Sequence, residues 1–207
     1  MTGWRHIVVE GAIGVGKTTL ARRLAQALDA DLVLERPDEN PFLQRFYADM
    51  PGYAFQTQLY FLFQRARQVQ ALTQAGLFAR PAVADYLFAK DALFARLTLS
   101  DEEHRLYVQM YAQLAREVAE PDLVIWLQAS PATLLRRVRE RGIPMEQPID
   151  EAYLERLGVA YVEHFRSYSG APVLAIDTED FHPARSTPDL TWLLAQVRDA
   201  LPAPEPP

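Results

Sequence analysis

Cysteine is absent from the 207 residues, which excludes disulfides and any thiolate-held metal and fits a reducing compartment. No apolar run approaches the roughly 20 residues of a membrane span. Met1-Thr2-Gly3-Trp4-Arg5-His6 lacks the apolar core of a signal peptide, so the expected location is the cytoplasm. Charge of one sign is nowhere concentrated. The 21 Lys and Arg against 27 Asp and Glu give a net charge of -6 with no single-sign block, which argues against a polymeric nucleic acid or a membrane surface as partner. A polyanion bound here should therefore be small and met by a local cluster of positive charge. His6, His104, His164 and His182 show no metal-ligand spacing.

The hydrophobic pattern alternates strands with helices. Strands are expected at 7–10, 31–34, 81–85, 122–127 and 172–177, each a short run rich in β-branched or apolar residues. Helices are expected at 17–28, at 41–74 with a break near Met50-Pro51-Gly52, from Ser100-Asp101-Glu102-Glu103 through Leu106, Met110, Leu114 and Val118, and at 131–141, 150–168 and 188–201. Residues 142–148 are poor in helix signals. Such alternation predicts an α/β fold with a five-stranded parallel sheet and helices on both faces. No internal repeat or linker interrupts it. One domain over 1–201 and a disordered Pro-rich tail at 202–207 are expected.

Between the first strand and the first helix lies Gly11-Ala12-Ile13-Gly14-Val15-Gly16-Lys17-Thr18, followed by Thr19, a full G-x-x-x-x-G-K-[ST] phosphate loop. Glycines let backbone N–H groups converge on phosphate oxygens, and the helix N-terminus adds partial positive charge. Lys17 should reach the β- and γ-phosphates of ATP, and the Thr18 hydroxyl should ligate Mg²⁺. The guanine-reading Asn-Lys-x-Asp is missing, as is the apolar strand ending in Asp-Glu of large ATPase motors. A small kinase is the class that remains.

In a doubly wound sheet, ligands sit beyond the carboxyl ends of the strands. Glu35 closes the second strand and Asp85 the third. Glu35 is placed to act as a base at an acceptor hydroxyl, and Asp85 to hold the metal. Arg136, Arg137, Arg139 and Arg141 crowd one helix end, where guanidinium forks suit phosphate oxygens and a closing lid.

Leu34-Glu35-Arg36-Pro37, Phe55-Gln56-Thr57-Gln58, Asp85, and Arg137-Val138-Arg139-Glu140-Arg141 followed by Glu146 together resemble the deoxynucleoside kinase family over nearly the whole chain, in the manner of its short bacterial deoxyadenosine and deoxyguanosine kinase members. The resemblance implies that Glu35 activates the 5′-hydroxyl of a deoxynucleoside and that Gln56 bonds the edge of its base. It implies phosphate contacts from Arg137, Arg141 and Arg139, and a sugar 3′-hydroxyl held by Glu146 with help from Tyr47. It also implies ATP and Mg²⁺ as cofactors, a purine as the favoured base and a homodimer joined by helices. One position departs from the family pattern. The acid at Asp85 is usually followed by arginine, and here Tyr86 follows it. A phenol cannot supply a fixed charge or a fork of donors. Tyr86 is expected to line the acceptor pocket, with Lys90, one helical turn on, supplying part of the missing charge. Two other classes stay open at this stage: a nucleoside monophosphate kinase resembling thymidylate kinase, and a nucleotide-binding regulatory module without transfer activity.

Overall fold

Every backbone polar group of a strand buried on both faces must be paired within the sheet, and the first strand shows this arrangement. β1 (His6–Gly11) is the middle strand, with Ile7, Val8 and Val9 fully buried. It is flanked by β3 (Ala82–Ala84) and β4 (Leu123–Gln128), with β2 (Asp31–Val33) and β5 (Val173–Asp177) at the edges. All pairings are parallel and the order is β2-β3-β1-β4-β5. The computed structural model describes residues 4–74 and 80–201; the expected tail at 202–207 and Met1–Gly3 lie outside them.

Side chains alternate across this sheet, as the two-residue period of a strand requires. On one face Ile7, Val9 and Ile125 pack with Leu20 and Leu24 of α1 (Lys17–Ala27), Leu154 and Leu157 of α7 (Glu151–Ser167), and Leu193 and Val197 of α8 (Thr187–Ala200). On the other, Val8, Ala84 and Val124 pack with Val69 of α3 (Met50–Gln74) and with Tyr86 and Leu87. Both faces are thus covered, as expected.

The helix ends follow local chemistry. Ser100 and Glu103 form a reciprocal capping box on α5 (Asp101–Ala115). Ser130 caps α6 (Pro131–Arg141), and Gly142, at φ 69°, ends it in the left-handed conformation. The break expected near Met50 is real. α2 (Leu43–Ala48) stops at Asp49, and Pro51 occupies the first turn of α3, where its missing N–H is not needed. α5 stops three residues short of Val118.

One element was not anticipated. α4 (Lys90–Thr98) fills the segment between β3 and α5, and its first two residues, Lys90 and Asp91, are buried charges. Inward-facing charge erases the apolar stripe by which an amphipathic helix is recognised.

Candidate active site

The carboxyl ends of β1, β2 and β3 open into a cavity of about 790 Å³. Its floor is the phosphate loop. Gly11 (φ 148°) passes so close to β4 that a Cβ there would collide with the Leu127 carbonyl, and a Cβ on Gly14 (φ 84°) would stand 2.9 Å from the Leu134 carbonyl. Only glycine fits at either position. Ile13, Val15, Gly16, Lys17, Thr18 and Thr19 line the cavity with them. Ala12 does not, but its carbonyl, like that of Gly11, accepts a hydrogen bond from Lys17 Nζ, at 3.2 and 2.7 Å. Burial, first of all, lowers the Lys17 ammonium pKa, and the nearby Lys90 pushes the same way.

Asp85 joins the phosphate loop to Glu35. Thr18 Oγ1 donates to Asp85 Oδ2 at 2.5 Å, and the backbone N–H of Glu35 donates to Asp85 Oδ1 at 2.7 Å. The Glu35 carboxylate takes bonds from Arg65, through Nε at 2.8 Å and through Nη2, and from Lys90 Nζ at 3.3–3.4 Å. Burial pushes the Glu35 pKa up, but Arg65 and Lys90 prevail and hold it down at about 2. Arg65 also binds Asp91 through Nη1 and lies over the Phe61 ring, 4.6 Å from its centroid.

At the far end of the cavity stand Tyr47, Tyr153, Met145 and Glu146. Burial, with Tyr153 and Glu146 nearby, drives the Tyr47 phenol pKa upward. Arg141 Nη2 donates to Glu146 Oε2 at 2.6 Å. Arg137 docks on the end of β5, with Nη1 donating to Thr178 Oγ1 at 3.0 Å and Nη2 to the Thr178 carbonyl at 2.6 Å. Both arginines line the cavity, as do Arg136 and Glu140.

Three expected residues stand elsewhere. Gln56 is exposed and outside the cavity, whereas Gln58 is buried and lines it. Two residues along a helix turn the side chain by about 200°, so the two glutamines face opposite ways. Arg139 bonds the carbonyls of Gln147 and Ile149, which makes it a brace for the 142–150 segment and not a cavity residue. Tyr86 is buried in the cluster with Val8 and Val124, behind the cavity, and its hydroxyl has no hydrogen-bond partner among the described residues. The chain direction after β3 explains this: Tyr86 points to the sheet, and the turn that follows delivers Lys90 to the cavity.

Arg65, Gln58, Asp91 and Glu10 escaped the reading of the sequence. A signal for two of them exists, since Gln58, Phe61 and Arg65 are spaced to share one helical face. Also unforeseen is the wall beyond β5 formed by Phe181, His182, Pro183, Ala184 and Arg185. Arg23 tethers that loop by donating to the carbonyls of Pro183 and Ser186 at 2.9 and 3.1 Å.

Residues 7–199 match the family model described as deoxynucleoside kinase. The chain belongs to the deoxynucleoside kinase family. Deoxyguanosine kinase of Bacillus subtilis is 33% identical over 202 residues, spanning 94% of this chain and 97% of that protein. Deoxyadenosine kinase of Dictyostelium discoideum is 34% identical over 182 residues, spanning 85% of this chain and 73% of that protein. The structure of deoxyadenosine kinase from M. mycoides with products dCMP and a flexible dCDP bound superposes with a TM-score of 0.80 at 22% identity, covering 94% of this chain and 99% of that one. The protein is therefore a kinase, a phosphotransferase with the P-loop kinase fold. Among the described residues, no helix is long and apolar enough to cross a membrane.

Proposed function

We propose that this kinase transfers the γ-phosphoryl group of ATP to the 5′-hydroxyl of a purine deoxynucleoside. The observation that carries the reading is the single cavity shared by Lys17, Thr18, Glu35 and the Tyr47–Glu146 end. The phosphate loop is the donor subsite, and the wall from Phe181 to Arg185 is placed to take the donor's base. The acceptor lies along Glu35, with its sugar toward Tyr47 and Glu146 and its base toward Gln58 and Phe61. The purine preference is supported by relatives named deoxyguanosine kinase and deoxyadenosine kinase. A homodimer is supported by Leu106 and Val108, apolar and about half exposed on α5.

Thr18 and Asp85 offer hard oxygen donors side by side. Two protein oxygens suit Mg²⁺, which keeps waters and takes phosphate oxygens for the rest of its shell. When bound, the ion would neutralise charge on the donor phosphates. The protein's own groups do the remainder. Lys17 leaves the loop carbonyls for the β,γ-phosphates, and Arg137 and Arg141 close over the transferred group. Glu35 accepts a hydrogen bond from the acceptor O–H and aims its lone pair at phosphorus. As the new O–P bond forms and the bond to the β-phosphate oxygen breaks, the proton passes to Glu35. A carboxylate held well below the usual range can still take this proton, because an oxygen bonding to phosphorus becomes far more acidic than a free alcohol.

The test is a screen of deoxynucleosides, ribonucleosides and nucleoside monophosphates with ATP and Mg²⁺, read as ADP release. Purine deoxynucleosides should give the highest kcat/KM. Preferential turnover of monophosphates would replace this reading with that of a monophosphate kinase.

A further inference from the structure

A row of alternating charges runs past the cavity beside the phosphate loop. Lys90, Glu35 and Arg65 line the cavity, and Glu10 and Asp91 lie buried at the two ends of the row. Glu10 stands at the end of β1, Lys90 at the start of α4, Glu35 beyond β2, Arg65 on α3 and Asp91 on α4. Lys90 Nζ lies 3.3 Å from Glu35 Oε1, the oxygen that Arg65 binds, 3.4 Å from Glu35 Oε2, and 3.8 Å from Glu10 Oε2, and Arg65 joins Glu35 to Asp91. Lys90, Glu10, Arg65 and Asp91 are all buried. An ammonium is withdrawn from water only where carboxylates repay its desolvation, so Lys90 is held by the two acids it bridges.

Glu10 is fixed independently. Its carboxylate accepts bonds from the N–H of Gly11 at 2.7 Å, the N–H of Leu87 at 2.6 Å and Tyr161 Oη at 2.9 Å. One of these partners is the first residue of the phosphate loop and another lies in the turn that leads into α4. Glu10 is thus a rigid post, and Lys90 spans from that post to Glu35. Arg65 reaches Glu35 from α3, the helix that also carries Gln58.

We propose that Lys90 is the positioning residue of the acceptor carboxylate, in place of the cation that position 86 does not provide. This inference rests on Glu35 being the acceptor-side carboxylate. Lys90 holds the second oxygen of Glu35 so that the carboxylate keeps one orientation when the acceptor displaces part of the Arg65 contact. It couples that orientation, through Glu10, to the start of the phosphate loop. The role needs a lysine on the first turn of α4 and not on β3, because the residue directly after Asp85 faces the sheet.

A double-mutant cycle tests it, with kcat and both KM values measured for wild type, Lys90→Met, Glu35→Gln and the pair. Lys90→Arg serves as the charge-preserving variant, and each variant is melted to confirm folding. Wild-type turnover of a deoxynucleoside tests the functional reading by itself, so its failure is seen before any variant is judged. Lys90→Met should lower kcat about 10- to 100-fold, the scale of a reacting group displaced by about an ångström. The KM for ATP should change little, and Lys90→Arg should recover part of kcat. In the Glu35→Gln background the same substitution should cost at least tenfold less, because its target is gone. An undiminished kcat in Lys90→Met, or an equal loss in both backgrounds, would overturn the proposal. If Lys90→Met does not fold, Lys90→Arg decides: a loss of kcat confined to the Glu35 background supports the role, and an equal loss in both removes it.

Discussion

The backbone N–H of Glu35 is hydrogen-bonded to the carboxylate of Asp85, whose other oxygen accepts the hydroxyl of Thr18. One side chain therefore sets the distance between the end of β2 and the phosphate loop. Glu35 and the phosphate loop are registered through Asp85.

If Glu35 serves as the acceptor-side carboxylate, as proposed, Glu35→Gln should lower kcat by roughly 10²- to 10⁴-fold, the range of a positioned acid or base. The KM for ATP should stay near wild type. Steady-state kinetics with ATP varied at saturating deoxynucleoside gives both numbers. A turnover close to wild type would remove Glu35 from the chemistry.

The arginines of α6 divide by what they touch. Arg137 and Arg141 line the cavity, whereas Arg139 braces the backbone at Gln147 and Ile149. Arg137→Ala and Arg141→Ala should each reduce kcat by about tenfold or more, and Arg137→Ala should also lower the melting temperature because it frees the Thr178 carbonyl. Arg139→Ala should lower the melting temperature, with about 1 kcal/mol lost for a freed backbone carbonyl, and leave turnover near wild type. Paired melts and turnover assays on the three variants separate the two roles.

Gln58 and Gln56 make an internal control. Gln58→Ala should raise the acceptor KM and weaken discrimination among bases, since a site built to bond a polar edge rejects analogues that lack it. Gln56→Ala should behave as wild type. Comparing kcat/KM for deoxyadenosine, deoxyguanosine and deoxycytidine across the two variants checks the assignment.

The contrast between these glutamines shows what the sequence disclosed and where it fell short. The phosphate loop declared itself, because strand, glycines, lysine and helix occur in one contiguous order. Glu35 and Asp85 were found from their places at strand ends, since a parallel sheet puts all those ends on one edge. Gln58, two positions on from Gln56, is the one that lines the cavity, and its spacing to Phe61 and Arg65 marked the buried face of α3. Lys90 and Asp91 hid the helix they begin, because charged residues turned inward toward a site look like a solvated loop. Tyr86 was the reverse case. Its place after Asp85 pointed to the acceptor pocket, yet in the fold that position faces the sheet.

Acid stability should depend on His6, at the start of β1. Its Nε2 is buried and has no partner among the described residues, while its backbone N–H donates to Asp122 Oδ2 at 2.8 Å. Burial lowers the imidazole pKa from 6.5 to about 4, against a smaller upward pull from Asp122. The folded state therefore keeps His6 neutral where the unfolded chain already binds a proton. Between pH 6.5 and about 4 the unfolded state gains protons first, so stability falls as the solution is acidified through that window. From pH 7.5 to 5.0 the loss attributable to His6 is up to about 2 kcal/mol. Glu35, held at about 2, works lower down: its contribution is complete above about 4.5 and disappears only as pH falls toward 2. Burial depresses the His164 pKa too, so comparison with a His6 variant is needed to isolate the effect. His6→Phe keeps a planar ring on the strand and removes the titrating group. Thermal melts at pH 7.5 and 5.0 should show the wild type losing several degrees more than His6→Phe. Equal losses in the two proteins would mean that His6 is protonated in the fold without penalty, and that the acid sensitivity lies elsewhere.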